Sequence, residues 1–486
     1  MARYTASAYT KTALPTTREL HMLNRMSYGF TPAGLKQLRA AGGEMAWFEK
    51  QLEPASVAEN SKVATLPGFY PKLMGHTPAQ KWKNDQSGVY LAYEYARDLA
   101  NYTMLRRIYS HRGLHEMMVE FWSNHLHVTA NNLPGFTQRL QYDETIRTYA
   151  LSTFEQLLTE CTLHPSMLLY LDNWKSKRGN PNENHGRELL ELHTVGREAQ
   201  YGEAAVQASA KILSGWTVDR DSYQGFYDNN AHTTGAVRVL DFADANAGSD
   251  GRDLTRRYLK YLAHHPSTAR RICRKLAIRF VMDNPPQDLV DRLAGVYLSS
   301  GTDIKAVLRA LVNEEIFWAS AGQKARTPID DLVATYRVLG VNVLSPISKK
   351  SCATAMGYPM GSTFAFHWVS PDGPPDRMVS WSSPSRMLNS FKFHWALTGG
   401  YYPKERVSYR KPLYYLPQKK VRFDQFVDHL CRTVLGRRST PRLLQACCEG
   451  ATVKPGEIVT AKHAVMRYKF VRVMAVLLDS PEHMTR

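Results

Sequence analysis

The chain has 486 residues, with 62 Lys and Arg against 44 Asp and Glu, so its formal net charge is +18. Hydrophobic residues make up 43% and charged residues 22% of the chain, which is typical of a globular protein and excludes a disordered one. The basic excess favours an anionic partner, such as nucleic acid, an acidic glycan or a membrane surface, without choosing among these classes.

Several common signals are missing from the sequence. The N-terminal segment has no apolar run followed by a cleavage site, and no stretch is apolar for long enough to span a membrane. Six cysteines are present without a C-x-x-C pair. These features predict a reduced, cytoplasmic protein. The P-loop, G-x-G-x-x-G and G-x-S-x-G patterns are absent too, which excludes the commonest nucleotide-binding and hydrolase signatures.

Helical periodicity dominates the chain from its first element onward. Thr31-Pro32 predicts the start of a short helix, with Thr as the N-cap and Pro in the first turn. Further helices are predicted over 79–110, 112–128, 139–160, 183–195, 203–215, 252–263, 266–281, 287–299 and 303–318, and then near 423–435, 440–448 and 460–479. Since period-2 alternation is scarce, we expect a mainly α fold, a multi-helix array around a helical bundle core.

Two long irregular segments interrupt this pattern, at 217–250 and 341–384. Loops of this length inside a compact protein are more often functional or mobile than simple connections. We therefore expect a main helical domain over 17–340. A loop-rich and then helical C-terminal region, 341–486, is expected to pack on it.

The helix predicted over 112–128 carries the first candidate residue. On a helical wheel, His125 lies on the apolar side with Leu114, Met118 and Trp122. Such a histidine is either a hydrogen-bonded core residue or an inward-facing imidazole that binds metal or moves a proton. Both interpretations stay open.

The segment 182–196 carries the second set of candidates. Glu188 and Glu191 share a helix face, and Arg187 can pair with Glu191 at i,i+4 spacing. His193 lies on a different side, but it can turn back toward the carboxylates if the helix ends near Leu192. Glu and His from two helices are the ingredients of a metal site in a bundle. The alternative is an Arg–Glu network that only fixes helix packing.

Two basic segments contribute much of the positive charge. The helix 265–280 places Cys273 and its apolar neighbours inward and the cations Arg270, Arg271, Arg274 and Lys275 outward, as a solvated face or an anion-binding one. The patch from Tyr401 to Arg422 mixes basic and aromatic residues, which is a pattern suited to a phosphate or glycan chain. No helix-turn-helix, zinc-finger or RNP-type pattern supports nucleic acid specifically.

Ordered sequence blocks along most of the chain resemble a bacterial family known as domain of unknown function 1800. They are 23–32, Phe121-Trp-Ser-Asn-His125, 169–173, 179–194, Leu213-Ser-Gly-Trp-Thr217, 265–269, Lys275-Leu-Ala-Ile-Arg-Phe280, Ser370-Pro-Asp-Gly373 and Ser480-Pro-Glu482.

The resemblance implies a set of residues that match family motif positions. They are Glu116, Asn124, His125, Asn184, Arg187, Glu188, Glu191 and His193, with His232 in the loop after the Gly-Trp-Thr block. Members of the family often carry export signals and are often encoded beside proteins resembling sulfatases and alkaline phosphatases. This chain departs from the first of these properties.

Three hypotheses follow. The first is a metal-dependent or acid/base enzyme that acts on an anionic substrate, which can be a polymer. Its catalytic residues would be Glu188, Glu191, His193 and Arg187, and its divalent transition metal would be held among His125, Glu188, Glu191, His193 and His232. The second is a non-enzymatic helical binding or assembly protein with a basic surface for an acidic partner, such as an acidic glycan. The third, a nucleic-acid binder, depends on charge alone.

Overall fold

A computed structural model describes residues 4–345 and 364–486 and confirms that the protein is mainly α-helical. The α-helices before residue 200 are α1 Thr17–Arg25, α2 Pro32–Ala40, α3 Glu44–Leu52, α4 Ser61–Thr65, α5 Pro71–Gly75, α6 Pro78–Gln86, α7 Ala92–Tyr109, α8 Gly113–His125, α9 Arg139–Tyr149, α10 Phe154–Thr162, α11 Pro165–Tyr170 and α12 Glu183–Glu188.

The α-helices after residue 200 are α13 Glu203–Leu213, α14 Arg252–Ala263, α15 Pro266–Phe280, α16 Gln287–Ser299, α17 Ile304–Asn313, α18 Glu315–Ala319, α19 Pro328–Leu339, α20 Pro384–Gly399, α21 Phe423–Leu430, α22 Pro441–Ala451, α23 Phe470–Leu478 and α24 Pro481–Met484. Short 3-10 turns lie at Pro54–Ser56, Leu66–Phe69, Gly135–Gln138, Asn173–Lys175, Arg197–Ala199, Met378–Ser380 and Pro412–Tyr415. Three π-helical turns lie at Leu189–His193, Cys431–Leu435 and Val465–Lys469.

Local capping explains where several helices begin. The Thr31 hydroxyl accepts a hydrogen bond from the Gly34 amide at 2.9 Å, as the Thr-Pro pattern predicts for α2. Three helices predicted as single elements are each divided into two. The division of 139–160 comes from Thr153, whose hydroxyl caps α10 through the Gln156 amide at 3.3 Å. A capping side chain offers the backbone a new start, which apolar periodicity alone does not detect.

In residues 4–345 and 364–486, the strands are short and pair only as antiparallel two-stranded ribbons. The first irregular segment contains two of these ribbons, which the sequence did not predict because three-residue strands are too short to show a period. The pairs are β1 Trp216–Val218 with β2 Gly225–Tyr227, β3 Val237–Val239 with β4 Phe242–Asp244, β5 Asn342–Val343 with β6 Val407–Ser408, and β7 Val421–Arg422 with β8 Ile458–Val459. Residues 346–363 of the second irregular segment lie outside the described part.

One hydrophobic cluster continues from the N-terminal helices into the C-terminal ones. It includes Leu23 of α1, Leu276 of α15, Tyr336 of α19 and Val473 of α23. The helix α20 packs against both α19 and α23. The two predicted regions therefore share a core, and the boundary near residue 340 stays a prediction. Among residues 4–345 and 364–486, no helix is both long and apolar enough to cross a membrane.

The packing of α12 on α13 depends on a missing side chain at Gly186. A Cβ atom there would lie 2.7 Å from the amide nitrogen of Ala210, which belongs to the α13 backbone and cannot rotate away. We expect Gly186→Ala to lower the free energy of unfolding by about 1–3 kcal/mol through overpacking, as measured by urea unfolding.

Gly295 provides the matched control, because it also lies inside a helix but has no atom within 4 Å of an added Cβ. Gly295→Ala should be neutral or stabilising by up to about 1 kcal/mol, since alanine has the better helix propensity. Equal effects of the two substitutions would contradict the close approach of α12 to α13.

Candidate functional site

His125 is the last residue of α8 and lies buried between two other elements. Its Nε2 donates to the carbonyl oxygen of His193 at 3.1 Å, and its Nδ1 lies 2.9 Å from the Lys275 ammonium. Since a carbonyl only accepts and an ammonium only donates, His125 is the neutral Nε2–H tautomer. Burial, and then the charge of Lys275, hold the pKa of His125 well below its usual range.

The carbonyl group that fixes His125 belongs to a π-helical turn. The segment Leu189–His193 widens after α12, and the chain then turns through Gly196, whose φ is 73°. The Gly196 amide donates back to the Leu190 oxygen at 2.8 Å. The helix was predicted to end near Leu192, and in the structure it ends in this π-helical turn. Such turns leave carbonyl groups outside the regular helical pattern and are frequent at functional sites.

Lys275 points inward from α15, which corrects its predicted place on the solvated face. Its ammonium contacts His125, and within residues 4–345 and 364–486 no carboxylate pairs with it within 4 Å. Burial, and then the positive charge of Arg271, lower the pKa of Lys275 to about 7, although Asp372 opposes both effects. The predicted outward position of Lys275 was wrong because α15 has three faces here, one toward the core, one toward a cavity and one toward solvent. Cys273 and Leu276 meet the core, while Arg271, Lys275 and Arg279, at i,i+4 spacing, meet a cavity.

That cavity has a volume of about 470 Å³, which is the size of a small-molecule site. Its walls come from α8 with Glu120, Asn124 and His125, from the π-helical turn with Leu192, from α15 with Arg271, Lys275 and Arg279, and from the loop 372–377. The loop approaches α8 closely at Gly373, where a Cβ would lie 1.9 Å from the Asn124 oxygen. Only glycine fits there, since its φ is also +71°.

The cations in the cavity differ in how far they are neutralised. Arg279 pairs with Asp330 at 3.0 Å and with Glu120 and Asp376 at 3.5 Å each. Arg271 has no such partner in the described part, and burial lowers its pKa. Its buried Nε also lacks a hydrogen-bond partner there. Arg271 and Lys275 therefore leave positive potential in the cavity, and an anion can neutralise it.

Two of the predicted catalytic residues take part in a network of ion pairs. Arg187 lies 3.7 Å from Glu191, at the spacing that the sequence predicted, and it also pairs with Glu183 at 3.5 Å and with Glu203. The other oxygen of Glu191 accepts from Arg197 at 2.9 Å. These ion pairs are of the kind that the structural alternative expects, and they involve both Arg187 and Glu191.

Glu188 stands apart from that network. It is half-buried, with no ion pair or hydrogen bond among the described residues. Burial raises the pKa of Glu188, and the nearby carboxylates of Glu191 and Asp372 raise it further. Asp372 thus lies close enough to influence both Glu188 and Lys275, although Glu188 does not line the cavity.

The histidines of the predicted metal set lie in different surroundings. The ring centroids of His193 and His125 are 6.4 Å apart, and neither ring nitrogen of His193 has a partner in the described part of the chain. Burial lowers the pKa of His193 to about 3. His232 contacts the Ser214 oxygen at 2.9 Å and the Asn246 side-chain oxygen at 2.7 Å, which fixes the first irregular segment.

No three of the five predicted ligands, His125, Glu188, Glu191, His193 and His232, bring ligand atoms within 4.8 Å of one another in the ranges 4–345 and 364–486. Their catalytic and metal-binding roles stay predictions. Sequence reasoning missed Lys275, Arg271 and Asp372 as cavity residues. The signal that could have found two of them is their position in the family-like blocks 275–280 and 370–373.

The comparisons with known proteins add one match. The model of the family described as protein of unknown function (DUF1800) matches residues 21–485. No curated protein and no solved structure matches the chain.

The lowered pKa of Lys275 predicts unusual reactivity toward acylating reagents. A neutral amine is the reactive form, and an ordinary lysine with a pKa of about 10.4 is almost fully protonated at pH 7. We expect Lys275 to acetylate half-maximally near pH 7 and to level off above pH 8, as followed by mass spectrometry of peptides after brief exposure to acetic anhydride.

Two neighbouring arginines give a matched pair of variants. Arg271→Gln removes a positive charge beside Lys275 and should move its labelling profile to higher pH. Arg270→Gln removes the adjacent cation, which pairs with Asp291 on the outside of α15, and should leave the profile unchanged. A Lys275 profile that still rises at pH 9 in the wild type would contradict the assignment.

Proposed function

The chain belongs to the family described as protein of unknown function (DUF1800), and we propose that it is an enzyme that binds a small anionic substrate in the cavity between α8 and α15. Lys275 is its acid/base group, and Arg271 is its anion-binding group. The proposal keeps the acid/base form of the enzyme hypothesis and assigns it to residues that differ from those predicted.

One observation carries this proposal: the Lys275 ammonium lies 2.9 Å from a neutral histidine, and no described carboxylate pairs with it at the wall of a cavity. A lysine that is partly buried without a counter-ion costs stability, which a purely structural role does not explain. Desolvated lysines with lowered pKa values serve as bases and nucleophiles at neutral pH. The arrangement therefore favours chemistry over packing.

The remaining groups support a defined division of roles. The chain of contacts from the His193 carbonyl through His125 to Lys275 fixes the amine by its N–H and leaves its lone pair available when it is neutral. Arg271 carries the charge that meets an anionic group of the substrate. Asp372, from the opposite wall, increases the protonated fraction of Lys275. Lys275 accepts a proton above pH 7 and donates one below it.

Activity can be sought with chromogenic phosphate, sulfate and carboxylate esters, together with calorimetric binding of inorganic phosphate and sulfate. As a base, Lys275 is active when neutral, so the rate should rise with pH through about 7. Lys275→Met should lower kcat by about 10²–10⁴-fold. Arg271→Gln should mainly weaken anion binding, and Arg270→Gln should match the wild type.

Lys275→Arg separates charge from proton transfer, because arginine does not deprotonate in this range. It should bind phosphate but stay inactive. If the wild type neither binds the two anions nor turns over any ester, or if Lys275→Met keeps full activity, the proposal is wrong.

A second candidate function, binding of an acidic glycan, is favoured by a different surface. A groove of about 640 Å³ is lined by Lys404, Lys411 and Arg467, and no carboxylate in the described part of the chain pairs with any of them. Two tyrosines beside them are exposed, Tyr401 by 49% and Tyr468 by 68%. Cations interleaved with exposed aromatic rings suit an anionic polymer with flat sugar faces. This groove includes the N-terminal half of the basic patch found in the sequence.

Retention on an immobilised sulfated glycan tests this surface. The triple variant Lys404→Ala, Lys411→Ala and Arg467→Ala should elute at clearly lower salt than the wild type, since fewer counter-ions are released. A control with Lys11, Lys36 and Arg256 changed to alanine has the same net charge and should elute with the wild type. Equal elution of the two variants contradicts a specific groove, and tighter binding to DNA or RNA than to glycan points to nucleic acid.

A further inference from the structure

Four acidic and histidine side chains meet at a junction of helices that the sequence did not mark as a site. Asp331 lies in the first turn of α19, His394 on α20, Asp479 directly after α23, and His483 on α24. Asp331, His394 and His483 are all buried, with at most 4% of their surface exposed. They come from segments up to 152 residues apart in the sequence, so only the fold brings them together.

The distances between these groups resemble those in a metal coordination shell. Asp331 Oδ1 lies 3.0 Å from His394 Nε2 and 3.6 Å from His483 Nε2. One ligand atom from each residue lies within 4.8 Å of the other two. In a tetrahedral or octahedral shell with bonds of about 2.0–2.1 Å, adjacent ligand atoms are separated by about 2.9–3.4 Å. Shifts of a few tenths of an ångström to about one ångström would therefore admit an ion.

The surrounding contacts have the form of an outer shell. His394 Nδ1 lies 2.7 Å from an oxygen of Asp479, which orients the ring and directs Nε2 toward Asp331. Metal-bound histidines almost always have such a carboxylate or carbonyl partner on their second nitrogen. The other oxygen of Asp331 accepts from the Ser390 hydroxyl at 2.7 Å. His394 and Asp331 are thus each oriented by a hydrogen-bonding partner on the side away from the junction.

His483 is positioned by contacts that leave its ring in the junction. Arg326 donates from Nε to the His483 carbonyl at 2.8 Å, and its own amide donates to the Met484 oxygen at 2.9 Å. The Thr335 hydroxyl lies 3.0 Å from His483 Nε2, a contact that an ion bound to this nitrogen replaces.

We propose that Asp331, His394 and His483 bind one divalent transition metal ion, of the Zn²⁺ or Fe²⁺ type, with Asp479 orienting His394. Two imidazoles and one carboxylate are a donor set that these ions favour over Mg²⁺ or Ca²⁺. The ion ties α19, α20 and α24 together. The site is distinct from the cavity beside Lys275, and it places the divalent metal predicted from the sequence at other residues.

Binding exchanges the ion for a proton and involves no redox step. Without metal, His394 lies between the carboxylates of Asp331, at 3.0 Å, and Asp479, at 2.7 Å. The ion takes the lone pair of His394 Nε2, and a proton on that nitrogen passes to solvent. Arg386, 3.6 Å from Asp331, and Arg326, near His483, oppose the incoming positive charge.

The test uses the full-length protein without an affinity tag, depleted with a chelator and then titrated with Zn²⁺ or Co²⁺ at pH 7 and 8. Elemental analysis after gel filtration should give one ion per chain, and saturation should raise Tm. His483→Gln, which keeps a hydrogen bond to Thr335, should weaken binding by at least 100-fold. Asp479→Asn should weaken it about 10–100-fold, as outer-shell changes do.

His264→Gln is the control, because His264 pairs with Glu155 away from the junction and should leave the affinity unchanged. His125→Gln separates the two metal hypotheses. Stoichiometric metal that is lost in His125→Gln but kept in His483→Gln returns the ion to the residues predicted from sequence and overturns this proposal. If neither Zn²⁺ nor Co²⁺ binds stoichiometrically at either pH, the junction is an ion-pair cluster only, and the proposal is overturned as well.

Discussion

Arg279 is the centre of a buried network of charges that holds several elements of this helical interior together. It joins Glu120 of α8, Asp330 of α19 and Asp376 of the loop after residue 371. Removing one partner of such a set leaves an uncompensated buried charge, which costs several kcal/mol, so these elements keep one relative arrangement. The cavity has a fixed shape because three of its walls meet at this guanidinium group.

Lys275 differs from Arg279 in its partner. It lies one helical turn before Arg279 on the same face of α15, yet its ammonium meets an imidazole instead of a carboxylate. Three acids pair with Arg279 one turn away, yet none in the described part of the chain pairs with Lys275. The missing acid partner is therefore specific to the position of Lys275. The Lys275 amine therefore has a pKa of about 7. It contacts His125, which is itself fixed by the His193 carbonyl of the π-helical turn.

The sequence predicted what depends on neighbours along the chain and missed what depends on distant partners. The helix α14 and the contact of Arg187 with Glu191 follow from spacing within one segment. The inward turn of Lys275 does not, because a helical wheel separates core from solvent and cannot anticipate a polar cavity closed by residues 372–377 about a hundred positions later. His394 and His483 lie in segments with no ligand spacing between them, so the sequence contained no sign of their contact.

The start of α19 connects the two proposed sites. Asp330 and Asp331 are consecutive and point about 100° apart around the helix, so Asp330 meets Arg279 beside the cavity while Asp331 meets His394 and His483. Thr327 caps this turn through the Asp330 amide at 3.2 Å, and acidic residues are favoured in a first turn by the helix dipole. The two proposed sites therefore share one helical turn of α19.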